Sequence, residues 1–138
     1  MKTLAIKDFT TDDNETFEAT CKIWGAKISV SLYTFKDEFP AMDDIDMVQI
    51  NARLAFIEKN RKAVVQGLLE HVYPLSSNEV VTEKQFINDL KLTDIAINVG
   101  CDYDAEINFS MPENHFGDHW IMVSLNSDNE FNDYVIQG

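Results

Sequence analysis

Residues 103–110 read YDAEINFS and carry the clearest secondary-structure signal in the chain. Tyr103, Ala105, Ile107 and Phe109 alternate with polar residues. Because successive side chains of a β-strand point to opposite faces of the sheet, this alternation predicts a strand with one buried face and one face in water. Three further strands are predicted in the C-terminal third of the chain: Thr93–Val99, His119–Asn126 and Phe131–Gln137.

The N-terminal segment 16–35, TFEATCKIWGAKISVSLYTF, shows the same period of two on both sides of Trp24-Gly25-Ala26. This pattern predicts an antiparallel hairpin that turns at the tryptophan. A short strand over Leu4–Ile6 is expected to precede it. The turn-forming residues 126–130, NSDNE, predict a second hairpin that joins the last two strands.

Residues 45–73 give the longest helical signal. Apolar residues recur there at intervals of three and four, which predicts one long helix with a buried stripe. Asp43 or Asp44 is the expected N-cap, and Pro74 ends the helix. Arg61 interrupts the stripe beside Asn60, so a bend or a break is expected there. The stripe is Ile50, Leu54, Ile57, Arg61, Val64, Leu68 and Val72.

The basic residues of this segment are expected on its solvated flank, and they are Arg53, Lys59, Arg61 and Lys62. Downstream, Thr82 and Gln85 have the spacing of a capping box and predict a short helix that ends near Leu90. The order of elements predicts a single α+β domain over residues 1–138. It comprises a mostly antiparallel sheet, made of the N-terminal hairpin and four C-terminal strands, with one long and one short helix packed on one face.

The chain has 24 acidic and 11 basic residues and a net charge of −13. This balance argues against nucleic acid or an anionic membrane as a partner, because both require clustered lysines and arginines. The N-terminal stretch MKTLAIKDFTTDD resembles no signal peptide, and no apolar run is long enough to span a bilayer. We therefore expect a cytoplasmic protein with reduced cysteines; a disulfide between Cys21 and Cys101 remains an alternative, and the oligomeric state is left open.

His115 and His119 lie four residues apart, with Glu113 and Asp118 nearby. Histidines at this spacing bind zinc best on a helix, whereas the surrounding Pro112 and the apolar run after His119 indicate a loop that enters a strand. The acidic runs at 102–106 and 128–133 lack the EF-hand pattern for calcium, and no glycine-rich phosphate loop is present. We expect no cofactor and no catalytic residue, with a metal-dependent or acid–base enzyme at the two histidines as the alternative.

The distribution of charge is uneven. Residues 92–138 contain no lysine or arginine and nine acidic residues. A second acidic cluster lies upstream, at Asp37, Glu38, Asp43, Asp44 and Asp46. Like charges on neighbouring strands repel each other, so their retention favours a surface that attracts and orients a basic partner.

Residues 85–138 resemble the C-terminal half of a group of small bacterial domains of unknown function. The matching positions are Phe86, Leu90, Gly117, His119, Asp128 and Gly138. Such domains are often encoded beside polymorphic or contact-dependent growth inhibition toxins, where they look like immunity proteins. The resemblance implies a small acidic protein without catalytic activity that blocks a basic nuclease toxin domain, and it implies no functional role for a particular residue.

Charge and resemblance together predict an immunity protein that binds a cognate basic toxin domain and occludes its active site. Two acidic groups are the candidate toxin-binding residues. One is Asp102, Asp104 and Glu106, and the other is Asp43, Asp44 and Asp46. A regulatory binding module with another partner remains a third reading of the sequence.

Overall fold

The computed structural model describes residues 3–11, 16–34, 45–75, 82–111 and 120–137. These residues form six strands and three α-helices, with short 3-10 turns at Ile6–Asp8, Tyr73–Leu75 and Val99–Cys101. The strands are β1 (Thr16–Ile23), β2 (Ala26–Tyr33), β3 (Lys91–Asn98), β4 (Asp104–Ser110), β5 (Trp120–Leu125) and β6 (Phe131–Gln137). The helices are α1 (Met47–Lys59), α2 (Arg61–His71) and α3 (Glu83–Asp89).

The six strands form one sheet in the order of the sequence, β1 to β6. All neighbours are antiparallel except β2 and β3, which run parallel. A parallel pair needs a long crossover connection, and the three helices lie in the segment that provides it. The α+β class and the mostly antiparallel sheet are confirmed, including both hairpins. Strand β6 has the predicted bounds, whereas Val99 belongs to a 3-10 turn and the predicted strand start His119 lies outside the described residues.

One face of the sheet, here called the inner face, packs against the helices. The alternation predicted for β4 is confirmed, because Ala105, Ile107 and Phe109 are buried between half-exposed neighbours. Phe56 of α1 packs against Phe131 of β6, with ring centroids 5.7 Å apart. Burial of these apolar side chains is the main stabilising contribution to the fold.

The predicted long helix is two helices that meet at Asn60. The backbone of Asn60 is not helical, and its side-chain amide donates to the Phe56 carbonyl at 2.7 Å. The indole Nε1 of Trp24 donates to the Ile57 carbonyl at 3.0 Å, an acceptor that a continuous helix would pair with residue 61. The predicted stripe is fully buried except at Arg61, which is exposed.

Two details of the helices differ from the sequence prediction, and a third agrees with it. The N-cap of α1 is Asp46, whose Oδ1 accepts from the Val48 N–H at 3.0 Å, and Asp43 and Asp44 lie outside the described residues. Arg53 is buried rather than solvated, because its Nε donates to the Tyr103 carbonyl at 3.2 Å. In α3 the Thr82 half of the predicted capping box is confirmed: Thr82 Oγ1 accepts from the Gln85 N–H.

The predicted strand over Leu4–Ile6 is wrong, since a 3-10 turn occupies Ile6–Asp8. The side chain of Asn51 on α1 explains this difference. Its Oδ1 accepts from the Leu4 N–H at 2.9 Å and its Nδ2 donates to the Leu4 carbonyl at 2.8 Å. The backbone groups that a strand partner would pair are thus satisfied by a helix side chain.

Candidate functional site

The second face of the sheet, here called the outer face, carries the alternate side chains of every strand. The described helices contact the sheet through inner-face residues such as Phe131 and Tyr134, so they lie on the opposite side. The outer face is polar and small in its middle, where Ser31 and Ala96 lie in one row across β2 and β3. The same row continues through Glu106 on β4 and Ser124 on β5.

Carboxylates surround a depression at one end of the outer face. Glu106 and Asp133 flank Ser124 in the cross-strand row, which places their backbones two strands, or about 10 Å, apart. Asp104 precedes Glu106 by two residues and points the same way. The depression has a volume of about 250 Å³, and the three carboxylates line it together with Asn98, Ser124 and Asn132. We call this end of the sheet the acidic end.

Asp94 lies on the outer face but is engaged locally. Its Oδ1 accepts from the Thr93 hydroxyl and its Oδ2 from the Asn108 amide, both at 3.0 Å. The hydrogen bond from Asn108 joins β4 to β3 beside the register shift between Leu92 and Asp94, whereas Thr93 lies on β3 itself. Asp94 therefore stabilises the irregular strand pair and is less available to a ligand than Glu106 or Asp133.

The start of α1 lies close to the acidic end. The backbone N–H of Asp46 donates to the Tyr103 hydroxyl at 2.8 Å, and Tyr103 immediately follows Asp102. The sequence presented Asp46 and Asp102 as members of alternative acidic groups. The structure links the backbone of Asp46 to the side chain of the residue that follows Asp102, and neither aspartate lines the depression.

The corner that leads into β4 has an uncommon backbone. Asp102 and Tyr103 both adopt the left-handed conformation, with φ values of 56° and 61°. Bulky residues rarely do so, and such residues persist where the surrounding structure holds them. Tyr103 is held by its own N–H to the Asn98 carbonyl, by the Asp46 N–H and by Arg53. This corner fixes the backbone of the exposed residue Asp102 just before β4.

Exposed apolar side chains lie on the same face of the sheet as the acidic residues. Among the described residues, five large apolar side chains are exposed, and three of them, Tyr33, Trp120 and Val135, lie on the outer face. Val135 lies directly opposite the half-exposed Met122. Aromatic and methionine side chains on an otherwise polar surface are typical of protein-binding sites.

The remaining sequence candidates are not tested by the structure. His115, His119, Glu113 and Asp118 lie outside the described residues, as do Asp43 and Asp44. Within the described ranges, no three residues among histidine, cysteine, aspartate and glutamate form a group that could hold a metal ion. Cys21 is a free thiol, and the side chain of Cys101 lies outside the described part of the chain.

Two described side chains have clearly displaced pKa values, and both point to the inner side of the sheet. Burial, and then the carboxylate of Glu58, raise the pKa of the Cys21 thiol. Burial, and then Glu70, raise the pKa of the Tyr134 phenol. Both groups are therefore neutral near pH 7, which gives neither of them the ionised form that a nucleophile needs.

Sequence reasoning missed Asp133, Trp120 and Val135 as members of the outer face. The signal for Trp120 was present, because residues 120–123 read WIMV. A strand with one face in water should alternate, so this unbroken apolar run already indicated large apolar side chains on both faces. The position of Asp133 beside Glu106 depends on the register between β4, β5 and β6, which the sequence does not specify.

Compared with protein-family models, with curated proteins and with solved structures, the chain gives no match. No helix in the described part of the chain is long and apolar enough to cross a bilayer.

Proposed function

We propose that this protein is an immunity protein that binds a cognate basic toxin domain and neutralises it by occluding its active site. The observation that carries the proposal is the grouping of Asp104, Glu106 and Asp133 around one depression of the outer face. Exposed apolar side chains lie on the same face: Val135 is two residues from Asp133 on β6, and Trp120 lies at the other end of β5.

The chemistry favours a nuclease as the toxin. A nuclease binds the phosphates of its substrate with lysines and arginines, and these residues pair equally well with carboxylates. Glu106 and Asp133 would take the places of two phosphates, and Asp104 lies within the same depression. The net charge of −13 would also accelerate encounter with a basic partner.

The apolar side chains would supply most of the binding free energy. Interface energy is concentrated in a few desolvated residues, among which tryptophan is prominent, while charges at the rim mainly affect orientation and association rate. Trp120 is 45% exposed, and Met122 and Val135 lie beside it on the outer face. A toxin surface with an apolar recess next to its basic active site would match this arrangement.

The resemblance to domains encoded beside bacterial toxins supports the choice of a toxin as the partner. The mechanism needs only steric occlusion, so it requires no cofactor and no catalytic residue. It also accommodates the cost of placing like charges close together, because a basic partner neutralises them on binding.

The proposal can be tested by co-expressing the protein with the toxin candidate encoded immediately upstream. Cell survival and co-purification are the two measurements. The variant Glu106→Lys/Asp133→Lys should abolish protection and weaken the complex by a factor of about 100 or more, since like charges across an interface cost several kcal/mol. Trp120→Ala should weaken the complex by at least tenfold, as loss of an aromatic side chain that a partner buries does.

Glu18→Lys is the control for a charge reversal elsewhere on the outer face. Glu18 is also an exposed strand glutamate on the outer face, but it lies on β1, at the opposite edge of the sheet. Its reversal should leave survival and co-purification unchanged. Three results would refute the proposal. They are an equal loss of protection and binding in both variants, an association that is insensitive to salt, and no protection by the unmodified protein.

A further inference from the structure

The opposite end of the sheet contains a cavity with a different chemistry. Strands β2 and β3 are paired from Ser29 with Asp94 to Tyr33 with Asn98. The first three residues of each strand, 26–28 and 91–93, precede this pairing, so the two strands separate there. A cavity of about 220 Å³ lies in the opening, under the end of α3 and the start of α2.

The walls of the cavity are apolar and its rim is basic. Trp24, Phe109 and Leu90 contribute to the walls, and the other apolar lining residues are Ile23, Ala26, Val65, Ile87 and Leu92. The charged lining residues are Lys27, Arg61 and Lys91, and none of the described lining residues is acidic. Three cations around one cavity are unexpected in a protein with 24 acidic and 11 basic residues.

Trp24 is held in place at some cost to the backbone. It adopts a φ of 54° in the turn between β1 and β2, where asparagine or glycine is favoured and a bulky side chain is strained. Four contacts fix it. Its N–H donates to Glu58, its Nε1 donates to the Ile57 carbonyl, its ring stacks on Phe109, and the Arg61 guanidinium lies 5.8 Å from its ring centroid.

These contacts keep the indole and the guanidinium together at the mouth of the cavity. A strained residue that several neighbours hold in one position is a recognised feature of ligand sites. The carboxylate of Glu58 accepts a hydrogen bond from the backbone N–H of Trp24. Glu58 lines a separate cavity, which also includes Cys21. Glu58 is therefore not among the residues that line the cavity with the basic rim.

We propose that this cavity binds a small aromatic carboxylate, with the ring against Trp24 and Phe109 and the carboxylate toward Arg61, Lys27 and Lys91. The size fits, because an apolar cavity of about 150 Å³ holds benzene, and about 220 Å³ accommodates one ring with a short acidic arm. The guanidinium can pair with a carboxylate in a bidentate manner, which gives the site its charge specificity. This site is separate from the acidic end and does not depend on the proposed toxin partner.

Indole N–H resonances offer a direct test. The chain has two tryptophans, so a ¹H–¹⁵N spectrum contains two indole signals, and the variant Trp120→Phe assigns them. Titration with phenylacetate should shift the Trp24 signal in a saturable manner and leave the Trp120 signal in place. Phenylacetamide has the same shape without the charge, and acetate has the charge without the ring. Each should bind at least tenfold more weakly.

Two variants test whether Arg61 is the basic residue that binds the carboxylate. Arg61→Gln should weaken phenylacetate binding by about tenfold, as loss of a charged hydrogen-bond partner does. Lys62→Gln removes the same charge from the next residue, which is exposed and does not line the cavity, and should leave the affinity unchanged. Circular dichroism of each variant verifies that the fold is retained.

Three results would overturn the proposal. The first is a Trp24 signal that does not move at millimolar phenylacetate. The second is equal binding of phenylacetamide, which would indicate an apolar cavity without anion recognition. The third is an equal loss of affinity in Arg61→Gln and Lys62→Gln, which would indicate a nonspecific effect of net charge.

Discussion

At the residue scale, the contact between Gly67 and Tyr134 favours glycine at a helix position where alanine would normally be the more stable residue. Gly67 lies inside α2, where alanine would normally stabilise a helix by about 1 kcal/mol. A Cβ atom at this position would overlap the phenol ring of Tyr134, which also stacks on His71. The glycine therefore allows β6 to approach the helix closely.

We predict that Gly67→Ala lowers the free energy of unfolding by about 1–3 kcal/mol, the usual cost of overpacking. In a Tyr134→Ala background the overlap is removed, so the same change should raise the free energy of unfolding by up to about 1 kcal/mol. Urea denaturation followed by circular dichroism measures both differences. The same sign in both backgrounds would exclude the ring contact as the cause.

Cys21 gives a second prediction at this scale. Because burial and the Glu58 carboxylate raise its pKa in the folded state, the folded protein disfavours the thiolate. The resulting stabilisation is fully present below the pKa of the unfolded thiol and is lost as the pH rises through the folded pKa. In a Cys101→Ser background, the rate of alkylation by iodoacetamide should therefore increase at a higher pH than for an unfolded thiol.

Glu58→Gln provides the control for this measurement. The substitution removes the negative charge of Glu58, which is the smaller of the two causes that raise the pKa of Cys21; burial is the larger. The pKa of Cys21 should therefore fall only part of the way to its ordinary value. The amide oxygen of glutamine can still accept from the Trp24 N–H, so the turn is expected to be preserved. A reactivity profile of Cys21 that matches an unfolded thiol would contradict the assigned cause.

The residue scale is also where the sequence was least informative. The periodicity of α1 placed Arg53 on a solvated flank, but the position of Tyr103 gives its Nε a buried acceptor. Likewise, the alternation of residues 103–110 included Tyr103 in the strand, whereas its φ of 61° places it in the corner before β4. Both differences arise from partners about fifty residues apart, which local patterns do not report.

At the element scale, the sequence predicted the position of the division between α1 and α2 but did not distinguish a bend from a break. Arg61 in the apolar stripe, next to Asn60, indicated a bend or a break. The hydrogen bonds of Asn60 and Trp24 to carbonyls in the last turn of α1 show why a break is favoured. The parallel pairing of β2 with β3 was not predicted, because the period of two is the same in parallel and antiparallel strands.

We predict that Asn60→Ala lowers the free energy of unfolding by about 1 kcal/mol, because the Phe56 carbonyl loses its 2.7 Å hydrogen bond. The helical circular dichroism signal should stay constant, since Trp24 still occupies the Ile57 carbonyl. Asn88→Ala, at an exposed position of α3, is the control and should be neutral or slightly stabilising. A gain in both helix signal and stability for Asn60→Ala would mean that the asparagine alone imposes the break.

At the scale of the whole molecule, charge separates along the strand direction. Asp104 and Asp133 lie at the acidic end. Lys22 and Lys27 lie directly opposite each other beside the turn at the other end, near Lys91. The sequence predicted the acidic C-terminal third and the fold class. It could not predict that Asp133 lies near Glu106, or that three cations surround one cavity, because both depend on the strand register and the crossover.

This separation has a cost in stability that can be measured. The carboxylates at the acidic end repel one another, and each close like-charge pair costs a few tenths of a kcal/mol. We therefore predict that Glu106→Gln/Asp133→Asn raises the free energy of unfolding by about 0.5 kcal/mol at low ionic strength. The gain should vanish near 1 M salt, where the Debye length is about 3 Å.

Glu18→Gln on β1 is the matched control, since it removes one charge from the outer face away from the acidic end, and it should bring little or no gain. Urea denaturation at two salt concentrations makes the comparison. If the double variant is more stable but no longer binds its partner, stability has been exchanged for function at this surface, as is common at binding sites. If neutralisation destabilises the protein instead, the carboxylates have structural partners, and their grouping would no longer support a role in recognition.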